Sequence, residues 1–253
     1  MVRKLKFQFP EKWRASRLLK SASKVLIFAV SFWLVYFFSF SPLTAAVVFF
    51  AAFIFVYSRQ PEKKLFLKST IIFWLSSYLI SQSEYVLTPL VFGVVWLFLV
   101  VLAYWLFGLG DLIFQDRGRV YRNLNTALFF ITAVLFFASD KSAYFLMKYF
   151  LESAAIFMLF SEAITVLAGI FPKREKTVAL VLGLAAVEFL WAIALLPLSF
   201  FNSAALLTLL VFLMRDFLDY YFQGKLTRTL FLSRGTVFII LLVLILGTSS
   251  WRI

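Results

Sequence analysis

The sequence predicts an all-α fold, a polytopic transmembrane helix bundle of about nine spans (range roughly 8–10) with a cytoplasmic N-terminus. Three observations carry that prediction. The 253 residues are 63% hydrophobic and 15% charged, with a mean hydropathy of +0.96, too apolar to clothe a soluble domain. The apolar residues gather into runs close to the length of a spanning helix. About twenty-one of the twenty-five Lys and Arg residues fall in every second gap between those runs, the mark of cytoplasmic loops in an inserted chain.

Residues 1–24 form a basic cytoplasmic lead with Arg3, Lys4, Lys6, Lys12, Arg14, Arg17, Lys20 and Lys24. Pro10-Glu11 suits the first turn of a short interfacial helix, with Trp13, Leu18 and Leu19 resting on lipid and the cations meeting anionic headgroups. The lead also resembles the n-region of a signal peptide. The run that follows turns at Ser41-Pro42 straight into another, which favours an uncleaved hairpin.

Residues 25–253 are read as one transmembrane helical domain with apolar segments at 25–40, 43–57, 65–80, 85–107, 125–139, 142–171, 177–200, 203–222 and 235–249. The first, second, third, fifth and ninth fall short of the roughly 20 residues of a full span, so their flanks must help or the bilayer must thin. The sixth is long and is expected to tilt or to extend into the cytoplasm. Arg59, Lys63 and Lys64, then Arg117, Arg119 and Arg122, then Lys173, Arg174 and Lys176, then Lys225, Arg228 and Arg234 fill the inner gaps. The outer gaps are short and hold Lys141 as their one cation, which places the C-terminus outside.

The chain has no cysteine, which removes disulfides and thiolate metal sites or nucleophiles. It has no histidine, which removes Ser–His pairs, HExxH zinc sites and His-ligated haem. No metal site and no cofactor is expected. The net charge of +13 reflects cytoplasmic loops rather than a nucleic-acid partner. The expected partners are the lipid bilayer, anionic headgroups on the cytoplasmic side and other membrane-protein subunits. The expected location is a prokaryotic plasma (inner) membrane, crossed many times.

Charges at membrane depth cost about 2.5–3.5 kcal/mol each on insertion scales, so those present are informative. Counted along their segments, Glu152, Glu188 and Arg215 come to one level on three consecutive helices. Lys148, Glu152 and Glu162 share one face of segment 6, while Arg215 and Asp219 are an i,i+4 pair on segment 8. The sequence therefore predicts a buried polar cluster in which Glu152 and Glu188 share Arg215, with Lys148 above and Glu162 below. It serves either as an ion or solute site or as contact between helices.

Gly108-Leu109-Gly110-Asp111 resembles the GxGD string of the intramembrane aspartyl proteases, the class of presenilin and prepilin peptidases. The resemblance implies a second aspartate sharing a proton with Asp111, and Asp216 or Asp219 would have to supply it. Asp111 is the first Asp of the chain, whereas in that family the partner precedes the motif. Asp216 and Asp219 also form a DxxD of the type that holds Mg²⁺ on a diphosphate, and the span count is similar to that of UbiA-type prenyltransferases. Those enzymes use two longer acidic motifs, and a second is missing here. Residues 115–122, Gln-Asp-Arg-Gly-Arg-Val-Tyr-Arg, are either a phosphate or headgroup site or a basic stop with a Gly turn.

The expected role is that of a non-enzymatic accessory or scaffold component of a membrane assembly. The alternative is a small transporter or channel using the Glu/Arg cluster, ahead of a protease or a diphosphate-using lipid enzyme.

Overall fold

The computed structural model describes residues 11–38, 41–59, 65–83, 89–139, 145–168, 172–222, 224–225 and 227–248. Among these are nine α-helices and no strand: α1 Glu11–Phe37, α2 Pro42–Ser58, α3 Leu67–Ser81, α4 Pro89–Gly110, α5 Arg117–Ala138, α6 Phe145–Ala168, α7 Pro172–Ala194, α8 Phe200–Phe222 and α9 Arg228–Gly247. All but α2 and α3 are long and apolar enough to cross a membrane. At 1.5 Å per residue, α2 and α3 reach only about 25 and 22 Å. The chain is thus an integral, multi-pass helical membrane protein.

Helix ends depart from the apolar segments in one consistent way: charged flanks are helical too. α1 runs unbroken from Glu11 through Lys24 into the apolar run, so the basic lead from residue 11 onward is its first turns and not a separate interfacial helix. α5 begins at Arg117, eight residues before its apolar segment, because Asp116 caps it by accepting from Arg119 N–H at 3.1 Å. That cap makes residues 117–122 the opening turns of a helix. Segment 6 contributes α6 over Phe145–Ala168, and its two expected ends lie outside the described residues.

The chain packs as two compact units, 1–124 and 125–253. In the first, α1 packs against α2, α3 and α4. Its core is aromatic: Phe28 lies 4.7 Å from Phe73 and 5.3 Å edge-on from Trp74, and Phe32 packs on Phe49 and Phe92. Offset and edge-on rings add about 0.5–1.5 kcal/mol per pair beyond their burial, a useful source of cohesion where lipid supplies no hydrophobic drive. Ser41 caps α2 through Thr44 N–H, with Pro42 at the first helical position.

In the second unit, α6 packs on α7, α7 on α8 and α8 on α9. Its core centres on Ala133, Phe136, Leu190, Ile193, Ala204, Leu206 and Leu207. Buried Ala179, Gly183, Ala186, Leu190 and Ile193 recur at spacings of four and three along α7 and face inward. A Cβ at Gly183 would lie 3.8 Å from the Phe157 backbone, so the small residue lets α6 approach closely. After α8, Gly224 adopts φ +65° and closes the helix, with Lys225 N–H donating to Tyr220 C=O and Gly224 N–H to Tyr221 C=O. α9 buries none of its side chains and is the most exposed helix of its unit.

Candidate functional site

The GxGD string is the end of α4. Ile113 N–H donates to Gly108 C=O and Leu112 N–H to Leu109 C=O, the paired bonds of a helix C-terminal motif whose left-handed position is occupied by Leu112 at φ 63°. Gly108 is required by a close approach: a Cβ there would stand 2.5 Å from the Phe114 ring, which itself packs edge-on against Tyr104. Arg117 donates to Leu109 C=O at 3.3 Å and satisfies another terminal carbonyl.

Asp111, at the turn, accepts a 2.5 Å hydrogen bond from the Lys24 ammonium, and the two side chains are only 5% and 4% exposed. Burial pushes the Asp111 carboxyl above its ordinary range. The hydrogen bond and charge of Lys24, then Lys20 and Arg17, pull the other way without cancelling it. Its Oδ2 is buried without a hydrogen-bond partner. In the second unit, Asp216 lies 3.9 Å from Arg234. The first carboxylate of the expected dyad is thereby bound to a lysine and the second stands beside an arginine.

The expected Glu152–Glu188–Arg215 cluster is divided by the structure. Glu152 is buried on α6, with the Thr132 hydroxyl and the Lys148 ammonium as polar neighbours. Its Oε1 has no hydrogen-bond partner. Lys148 donates to Ser139 C=O at 3.1 Å and lies over the Phe136 ring. Arg215 is 2% exposed and donates to Asn125 Oδ1 at 3.2 Å, while Asn125 donates to Leu159 C=O at 3.3 Å. Leu159 is seven residues, or roughly 10 Å of helix rise, further toward the cytoplasm than Glu152.

α8 starts three residues before its apolar run, which moves Arg215 inward from the depth counted along the segment. Glu162 is also buried on α6, one turn from Leu159, and Asp219 is half-buried on α8. Glu188 does not join either group. It sits on the exposed side of α7, about 200° around the helix from buried Ala186.

Sequence reading missed Lys24, Asn125 and Thr132. Lys24 was counted with the basic lead and Asn125 with a segment boundary, since neither lies within an uninterrupted apolar run. The signal for Glu188 was present: the small residues of α7 mark its packed face, and Glu188 lies opposite them. Among the described residues, no group of three His, Cys, Asp or Glu is placed to hold a metal ion. No family model, curated protein or solved structure matches the chain.

Proposed function

We propose that the chain is a non-enzymatic component of a membrane assembly, working through lateral contacts of its helices with other membrane-embedded chains. The observation that carries this reading is Glu188. An ionisable group is placed on an exposed, otherwise apolar helix face at membrane depth, where lipid offers it no hydrogen bond. The carboxylates that would serve chemistry are spent on contacts inside each unit, Asp111 on Lys24 above all. The basic cytoplasmic ends suit anionic headgroups, and the compact topology suits a prokaryotic plasma membrane.

The test is co-assembly in native membranes. Under mild detergent extraction, the wild-type chain should migrate on a native gel as a complex. Bulky or polar substitutions at exposed Leu184 or Leu195 should break that complex while leaving expression intact. A chain that migrates alone, unaffected by either substitution, would remove this reading.

A second reading, transport of a proton or small ion, is favoured by one feature: the buried, unpartnered Oε1 of Glu152. It predicts a flux across reconstituted vesicles that Glu152→Gln abolishes. The assembly reading predicts no such flux.

A further inference from the structure

Independently of the assembly reading, we infer that the cytoplasmic end of the first unit holds a binding site for a phosphate group that carries a hydroxyl. Arg17, Ser21, Lys24, Asp111 and Arg117 build it. At about 100° per residue, Arg17, Ser21 and Lys24 fall within roughly 60° of one another, on the face of α1 that carries Lys24 to the end of α4. Arg117 arrives from the start of α5, bonded to Leu109 C=O two residues before Asp111.

Two buried atoms on this face lack a protein partner. Ser21 is fully buried, and its Oγ neither donates nor accepts. Elsewhere in the unit Ser31, Thr70 and Ser77 donate to the carbonyl four residues earlier, the ordinary outlet of a helical hydroxyl. The second atom is Asp111 Oδ2, on the carboxyl that Lys24 holds through Oδ1. Buried polar atoms are costly when left unsatisfied, so these two point to a ligand with both accepting and donating oxygens.

Charge sets that ligand apart from water. Arg17 and Lys20 lie close enough to act on the Asp111 charge, so with Lys24 and Arg117 four cations gather about one carboxylate. Among the side chains described in this unit, the other carboxylate is Asp116, exposed and paired with Arg119. An anion offsets the surplus of positive charge. Arg17 Nη1 and Arg117 Nε are themselves buried, and a planar guanidinium matches the oxygens of a phosphate. A hydroxyl on the ligand meets Asp111 in either state, donating to the ionised Oδ2 or accepting from the acid. Depth agrees as well. Asp111 directly follows the span Pro89–Gly110, and exposed Lys20 and half-buried Arg17 open the site toward the headgroup level. Free hydrogen phosphate and the headgroup of phosphatidylglycerol share this chemistry.

The test follows the melting temperature of the full chain, delipidated in dodecyl maltoside, against inorganic phosphate, dioctanoyl phosphatidylglycerol and dioctanoyl phosphatidylcholine. Saturable stabilisation by phosphate or phosphatidylglycerol is expected, and little by phosphatidylcholine, whose headgroup has no hydroxyl and no net charge. Ser21→Ala should weaken binding about two- to tenfold, and Arg17→Gln about ten- to a hundredfold. Because Ser21→Ala removes a hydroxyl with no protein partner, the ligand-free variant should melt no lower than wild type, which separates lost binding from lost folding. Arg228→Gln, at an exposed cation of the second unit, should bind as wild type does. Stabilisation by inorganic phosphate shows that the free ion suffices, and stabilisation by phosphatidylglycerol alone makes the lipid the source; either upholds the site. Equal binding by wild type, Ser21→Ala and Arg17→Gln, an equal response to phosphatidylcholine, or no response at all overturns it.

Discussion

Lys24 and Asp111, 87 residues apart, form a buried ion pair that ties the cytoplasmic part of α1 to the C-terminal turn of α4. The pair accounts for the aspartate of a GxGD string without proteolysis. Two charges removed from water recover that cost through mutual attraction only while both are present.

Removing either partner should therefore cost far more than removing both. Lys24→Met or Asp111→Leu alone should destabilise the protein by about 3–5 kcal/mol, and the double variant should return to within roughly 1–2 kcal/mol of wild type. Unfolding in mixed micelles with rising SDS measures all four corners of the cycle. Additive losses would show that the two groups do not depend on one another.

The pH dependence follows from the raised Asp111 carboxyl. The folded state binds this proton more tightly than the unfolded state does. Its contribution to stability is thus full below the ordinary carboxylate range and is lost as pH rises through the raised folded value. Compared with Asp111→Asn, which has nothing to titrate there, the wild type should lose relative stability from about pH 4 upward and then level off. Melting temperatures of both proteins across pH 3–8 give the curve; an opposite slope would mean that Lys24 outweighs burial.

Two glycines of α4 should respond differently to alanine. Gly108→Ala would put a methyl against the Phe114 ring and displace it from Tyr104, at about 1 kcal/mol or somewhat more. Gly93→Ala meets no atom within 4 Å and should be neutral or stabilising by up to about 1 kcal/mol. Phe114→Ala should rescue the first and leave the second unchanged, as thermal unfolding in detergent would reveal.

Asn125 holds two helices at once, receiving Arg215 from α8 and donating to α6. Asn125→Leu leaves the Arg215 hydrogen bond unmade and should cost about 1–3 kcal/mol. In an Arg215→Leu background the same change should cost markedly less. Equal costs in the two backgrounds would show that the pair is not coupled.

Much of the architecture was legible in the chain because insertion into a bilayer responds to one-dimensional quantities. Apolar run length set where α4 and α8 lie, and the alternating cations predict which ends face the cytoplasm. Boundaries were less legible where charged residues continue a helix beyond the apolar run, as at the starts of α1, α5, α7 and α9. The candidate site suffered most, since a count along apolar runs does not set helix register: Arg215 meets Asn125 near Leu159, about two helical turns from Glu152.

Sequence alone determined that this protein crosses the membrane many times and that cysteine and histidine are missing from its chemistry, and it predicted a cytoplasmic N-terminus. Tertiary structure decided which way each polar group turns and what it meets. Glu152 and Glu188 are the same residue type in similar apolar surroundings, yet Glu152 is enclosed beside Thr132 while Glu188 faces outward. Hydrophobicity settles depth, because transfer into lipid depends on composition. Rotation about a helix axis is settled by packing, where Gly183 and the alanines of α7 let α6 come close and turn Glu188 away.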